Sequence, residues 1–208
     1  MGLEMRLALF DFDGTLTTRD SLMPFLRHVV GTPAFIAGLG AMSPVLAAYA
    51  FGWMRNDRAK ERVLHWFLGG RRLAEVEDAG QAFAQTRLPR LLRPSMMATL
   101  HQHQARGDTC VLVSASLGCY LRPWAQAHRF DAVLCSELVA TPGRLGEPQR
   151  INGQLAGANC FGPEKVARIQ DWLAGRTPTH VSAYGDSRGD REMLALADSP
   201  HYRPWRHP

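Results

Sequence analysis

Asp11 and Asp13 stand two residues apart in Phe10-Asp11-Phe12-Asp13-Gly14-Thr15-Leu16-Thr17, directly after a short apolar run. Two acids this close repel unless a cation or a shared proton separates them. A second acidic group, Asp186 and Asp190, occurs in Tyr184-Gly185-Asp186-Ser187-Arg188-Gly189-Asp190. Oxygen ligands from Asp11, Asp13 and Asp186, completed by water and a phosphate, suit Mg²⁺. A phosphoester resists attack because nucleophile and phosphate are both anionic, so a cation and fixed donors must offset the repulsion. Mg²⁺, Lys165 and the hydroxyl of Ser114 are candidates for that task. With the charge balanced, one carboxylate can attack phosphorus, and the other can protonate the leaving oxygen and later activate water.

These residues need a scaffold that gathers them. Apolar runs at 7–10, 109–113 and 179–184 read as buried parallel strands. Helix-length stretches at 94–106, 120–128, 163–174 and 190–197 alternate with them, which predicts an open α/β sheet with right-handed crossovers. Such sheets collect ligands at the carboxyl ends of their strands, where Asp11, Ser114 and Asp186 would all lie. The alternation breaks between residues 21 and 93, which read as helices at 22–30, 33–42, 44–54, 57–67 and 73–88, with Pro44 dividing the second from the third. Residues 145–155 read as a loop or β-hairpin, and 201–208 as a Pro- and Arg-rich tail.

Four segments, in order, resemble the motifs of the haloacid dehalogenase superfamily: residues 11–17, Val111-Leu112-Val113-Ser114-Ala115-Ser116, Lys165, and residues 185–190. The resemblance implies a Rossmann-like α/β core, mostly parallel, with an inserted all-helical cap of the C1 type. The core would comprise residues 1–20 and 91–208 and the cap 21–90. By the same resemblance Asp11 is the nucleophile, Asp13 the general acid/base, and Ser114 and Lys165 bind phosphate. Asp11, Asp13 and Asp186 would hold Mg²⁺, with Asp190 completing the metal shell or orienting Lys165. An Asp two residues after the nucleophile is the phosphatase pattern of the superfamily. The helical insertion resembles the phosphoserine-phosphatase-like branch, subfamily IB. That branch would give Asp20 to a substrate amino group and Arg62 to a carboxylate, with Ala115 also at the substrate. Gly189, where that branch carries Asn, and the apolar insertion make amino-acid phosphate the alternative.

Composition bounds the partners. The chain has 208 residues with 24 basic and 19 acidic side chains, a net charge of +5 that permits an anionic partner. Its arginines are scattered and no nucleic-acid-binding signature occurs, which argues against nucleic acid. A non-catalytic phosphate-binding protein on the same fold is a further alternative, opposed by the intact Asp11 and Asp13. Only Lys60 and Lys165 are lysines, and Lys60 reads as background. The four cysteines lack metal-site spacing and the amino terminus lacks the order of a secretory signal, which together suggest a cytoplasmic protein with free thiols. His101 and His103 fall on different faces of one helix and read as solvated.

Residues 29–54 contain no charged side chain, although Gly and Pro interrupt them. Twenty-six uncharged residues exceed the roughly twenty that span a bilayer. Three readings stay open: helices packed in the cap, a membrane span, or a surface touching an anionic bilayer or an acyl chain. The stretch is similar to the cap of phosphatidylglycerophosphatase C-type members of the superfamily, which makes a lipid phosphate a substrate class beside small phosphorylated molecules. Oligomeric state has no signal.

Overall fold

The computed structural model describes residues 5–142 and 147–206. The expectations for the first four residues, for 145–146 of the hairpin and for the last two residues of the tail lie outside these. Five parallel strands form the central sheet: β1 (Arg6–Phe10), β2 (Thr109–Leu117), β3 (Ala132–Ser136), β6 (His180–Gly185) and β7 (Ser199–Tyr202), in the order β3-β2-β1-β6-β7. β1 pairs with β2 from Leu7 against Thr109 and with β6 from Arg6 against His180. Alternation along β1 sends Ala8 and Phe10 to one core and Leu7 and Leu9 to the other. Both faces are therefore covered, as a parallel sheet requires.

The helices of the core are α5 (Pro94–Ala105), α6 (Gly118–Ala127), α7 (Pro163–Leu173) and the short α8 (Arg191–Ala195). Two strands of the central sheet, and β4 (Leu138–Thr141) outside it, escaped the sequence reading. β3 is only half covered along much of its length, and β7 is an edge strand, Ser-Pro-His-Tyr, without an apolar run. Pro200 is tolerated there because an edge strand can lack a ladder donor.

Four helices leave the sheet between β1 and α5: α1 (Leu22–Val30), α2 (Thr32–Ala50), α3 (Asn56–Leu68) and α4 (Leu73–Thr86). The expected break at Pro44 does not occur. Pro44 withholds the N–H that Gly40 O would accept, and Ser43 Oγ donates to that carbonyl instead at 2.8 Å. α2 is also not packed as a core helix: of its nineteen residues only Gly38 is buried. By length and composition it could cross a membrane.

Residues 150–155 do form half of a hairpin. β5 (Arg150–Leu155) pairs antiparallel with β4 (Leu138–Thr141), away from the main sheet. The hairpin packs on α3, where His65 Nδ1 meets Asn152 O at 2.8 Å. His103, expected to be solvated, is buried; its ring joins Asp108 Oδ2 at 2.7 Å and the Tyr184 hydroxyl at 2.8 Å. Those two polar partners explain how an imidazole is held under the sheet.

Candidate active site

β1 ends where the Asp11 N–H donates to Tyr184 O on β6 at 3.0 Å, which fixes Asp11 at the carboxyl edge of the sheet. The chain then makes a tight turn in which Gly14 has φ 81°, a conformation that costs glycine little. A Cβ at Gly14 would lie 2.6 Å from Asp186 Oδ2, so the turn can approach Asp186 only with glycine there. Arg93 holds the turn from the entry to α5, donating to Gly14 O and Thr15 O at 3.2 Å each.

Lys165 rises from the first turn of α7 and is buried. Its Nζ donates to Asp11 Oδ1 at 2.6 Å, Asp190 Oδ1 at 2.6 Å and Val113 O at 2.8 Å. Burial alone would lower its pKa, but Asp11 and Asp190 outweigh burial and hold the ammonium above the ordinary lysine range. Asp190 has no free carboxylate oxygen: Oδ2 accepts from the Asp186 and Ser187 N–H groups and from Ser187 Oγ. Against the effect of burial, Lys165 keeps the Asp190 pKa low. Burial pushes Asp11 up to about 8, with Lys165 opposing and Asp190 adding to the rise.

Asp11, Asp186 and Asp190 place carboxylate oxygens within 4.8 Å of one another. Asp186 Oδ1 is buried, and among the described residues it has no hydrogen-bond partner. A buried carboxylate oxygen without a donor is costly unless something else satisfies it. Burial, then Asp190, raises the Asp186 pKa. An orphaned oxygen in an all-oxygen acidic cluster fits a hard divalent cation such as Mg²⁺.

The Asp13 side chain, expected among the metal ligands, lies outside this trio of carboxylates. Its Oδ1 accepts the Ser21 N–H at 2.8 Å, and its Oδ2 accepts from Ser116 Oγ. Ser21 Oγ in turn meets the buried Tyr120 hydroxyl at 3.0 Å. Burial, then Asp20, pushes Asp13 up to about 7, although the Ser116 and Ser21 bonds oppose this. Such a carboxyl can carry a proton near neutral pH and surrender it, as a general acid/base must. Ser114 is buried in β2 and its Oγ accepts the Ser116 N–H at 3.1 Å, leaving its own proton to donate elsewhere.

A cavity of about 330 Å³ opens over these groups, with Asp11, Asp13, Ser114 and Lys165 on its floor. Its opposite wall comes from α1, α2 and α3 and includes Met23, Leu46, Tyr49 and Val63. Asp20 and Ala115 also line it, though Asp20 Oδ1 caps α1 by accepting the Leu22 N–H at 2.9 Å. Arg62 does not line it and is exposed. Two positions on a helix differ by roughly 200° in direction, so the cation of α3 that faces the cavity is Lys60. Its Nζ donates to Ala115 O and, at 2.8 Å, to Asn159 Oδ1. Burial pulls Lys60 down to about 8, with Asp13 and Asp20 opposing. Lys60 and Asn159 were missed from sequence; the scarcity of lysine was the available signal for the first, and the second had none.

A model of the haloacid dehalogenase-like hydrolases matches residues 8–195. The chain is 38% identical over 206 residues to protein CicA of Caulobacter vibrioides, covering 99% of this chain and 89% of that one. A Bordetella pertussis protein of unknown function has a similar structure, with TM-score 0.80 and 24% identity over 98% of this chain and 94% of its own. A phosphoserine phosphatase carrying a phospho-aspartyl intermediate analogue gives TM-score 0.64 at 16% identity, over 94% and 84%.

Proposed function

The chain belongs to the haloacid dehalogenase-like hydrolases, and from that premise we propose that it is a phosphatase that cleaves phosphate monoesters through an aspartyl-phosphate. The observation that carries this reading is Lys165, clamped between Asp11 and Asp190 beside the orphaned oxygen of Asp186. In it, residues 21–90 cap the core of 1–20 and 91–208.

Asp11 attacks phosphorus through its carboxylate, and the bond from phosphorus to the ester oxygen breaks. Asp13 gives its proton to the departing oxygen. Water then attacks phosphorus, Asp13 takes the water's proton, and the bond to Asp11 breaks to release phosphate. Lys165 and the Ser114 hydroxyl offset charge on the phosphoryl oxygens. Asp11 and Asp186, with Asp190 behind them, would hold Mg²⁺, which supplies further positive charge against the phosphate.

The apolar wall of Met23, Leu46 and Val63 favours the phosphate ester of a small or lipid alcohol with an apolar portion. A second reading, an amino-acid phosphate, is favoured by Asp20 and Lys60, which offer opposite charges to an amino group and a carboxylate. The deciding measurement is phosphate release from a panel of sugar, amino-acid, nucleotide and lipid phosphates with Mg²⁺ present. Release from one class, lost in Asp11→Asn, is the expected result. A correctly folded protein inert toward every class would sink the phosphatase reading.

A further inference from the structure

A second cavity, of about 610 Å³, lies at the amino end of α2, away from the Asp11–Lys165 cluster. Arg19, Arg27, His28, Arg87 and Arg90 line it, and no acidic side chain does. Among the described residues, none of these four arginines is ion-paired. The first residues of α2, Thr32 and Phe35, complete its wall, so the positive end of the helix dipole adds to the field. Four arginines line one hollow with no acid among them, so an anionic occupant would meet unopposed positive charge there.

The exposed face of α2 begins one residue past Thr32, which lines this cavity. At helical spacing it presents Pro33, Ala37, Gly40, Pro44, Ala47 and then Phe51, all exposed and all uncharged. A helix that meets only water carries polar residues on such a face. Beyond its carboxyl end, Phe51 is 72% and Trp53 83% exposed, with ring centroids 5.6 Å apart. Aromatic pairs of this kind suit the boundary between headgroups and acyl chains. The other side of α2 is tied to α3: the Phe35 and Phe67 rings are 5.5 Å apart, and a Cβ at Gly38 would collide with Phe67. A bilayer-spanning position would strip away those contacts, whereas one in the interface plane keeps them.

We infer that α2 docks onto the surface of an anionic phospholipid bilayer, with its apolar face and the Phe51–Trp53 pair in the interface and lipid phosphates in the arginine cavity. Charge complementarity selects this occupant over a second copy of the chain, which would bring its own arginines against these. The docking is independent of turnover.

The test is sedimentation of the full chain with vesicles of phosphatidylcholine alone or mixed with phosphatidylglycerol. Binding to the mixed vesicles only, weakened by salt, is expected. Arg87→Glu with Arg90→Glu should weaken it by roughly 30-fold or more, given the worth of each basic residue near such a surface. Phe51→Ser with Trp53→Ser should abolish it while hydrolysis of a soluble aryl phosphate continues. The inference fails if mixed vesicles are not bound, or if both variants bind like the parent. It fails equally if ultracentrifugation reveals a dimer that the Phe51 and Trp53 changes dissolve, or if free glycerol phosphate displaces the protein from vesicles. Since binding is the readout, a chain that releases no phosphate still tests it.

Discussion

Lys60 Nζ lies 2.8 Å from Asn159 Oδ1, so a helix of the insertion is fastened to the loop that leads into α7, across the mouth of the catalytic cavity. The ammonium also faces Asp13 and Asp20, and burial has already brought its pKa down to about 8. A lysine so placed can meet a polar or anionic part of a substrate beyond the phosphate. Lys60→Met should therefore raise KM by about tenfold, the equivalent of one charge-assisted hydrogen bond, with a smaller effect on kcat. The pH profile gives a second readout. Lys60 is charged below about 8 and loses its proton above, so kcat/KM should fall as pH rises through 8. In Lys60→Arg, which stays charged, the Lys60 share of that fall should vanish, leaving the loss set by the Asp13 proton near 7. An unchanged alkaline limb in the arginine variant would show that Lys60 serves only as a structural tie.

Asp190 accepts Lys165 with one oxygen and the backbone of its own loop with the other. Asn in its place can keep the backbone bonds through its carbonyl oxygen but loses the charge. Asp190→Asn should cost about 1–3 kcal/mol in urea unfolding, the range for a weakened hydrogen bond to a buried ion. Lys165→Met should cost more, about 3–5 kcal/mol, because it strands Asp11 and Asp190 as an unpaired buried couple. Near-equal losses would mean that Asp11 alone sustains the Lys165 charge.

The legible part of this site is the part set by strand ends. Asp11, Ser114 and Asp186 follow or end apolar runs, and parallel pairing of β1, β2 and β6 brings such positions together whatever lies between them. Side-chain direction was less legible. Asp13 is turned from the other carboxylates by Ser21 and Ser116, one of them about a hundred residues away in sequence. Lys60 rather than Arg62 faces the cavity because a two-residue step on α3 reverses the face, although the apolar stripe of Ala59, Val63, Leu64, Phe67 and Leu68 did carry that phase. Pro44 misled because a neighbouring serine can satisfy the carbonyl that proline leaves open.

His103 offers a test of stability. It is buried between Asp108 and Tyr184, and burial, more than the opposing pull of Asp108, lowers its pKa below the ordinary 6.5. The unfolded chain then binds a proton at this residue that the folded chain refuses. Stability contributed by the neutral ring is present above 6.5 and is lost as pH falls from 6.5 toward the lower folded value. His103→Gln retains one donor and one acceptor without that titration. Its unfolding free energy should fall less steeply over that window, by up to about 1.4 kcal/mol per pH unit. Parallel slopes in parent and variant would place the proton uptake on other histidines.

Mg²⁺ should stabilise the protein in a manner that depends on pH. A ligand that binds only the folded state raises the melting temperature in step with its affinity. Asp11 has a pKa of about 8 in the metal-free protein, chiefly through burial, and Asp186 is raised as well. Below that range an arriving cation must displace a proton, and this competition weakens binding. The thermal shift produced by a fixed concentration of Mg²⁺ should accordingly grow as pH is raised from 5.5 toward about 8. Asp186→Asn should abolish the shift while leaving the metal-free protein as stable as its parent or more so, because it removes a carboxylate that repels Asp190. Calcium should also raise the melting temperature yet support turnover poorly, since it favours more ligands and looser geometry than Mg²⁺. A shift that is flat with pH, or one that survives in Asp186→Asn, would move the cation away from the Asp11–Asp186–Asp190 cluster.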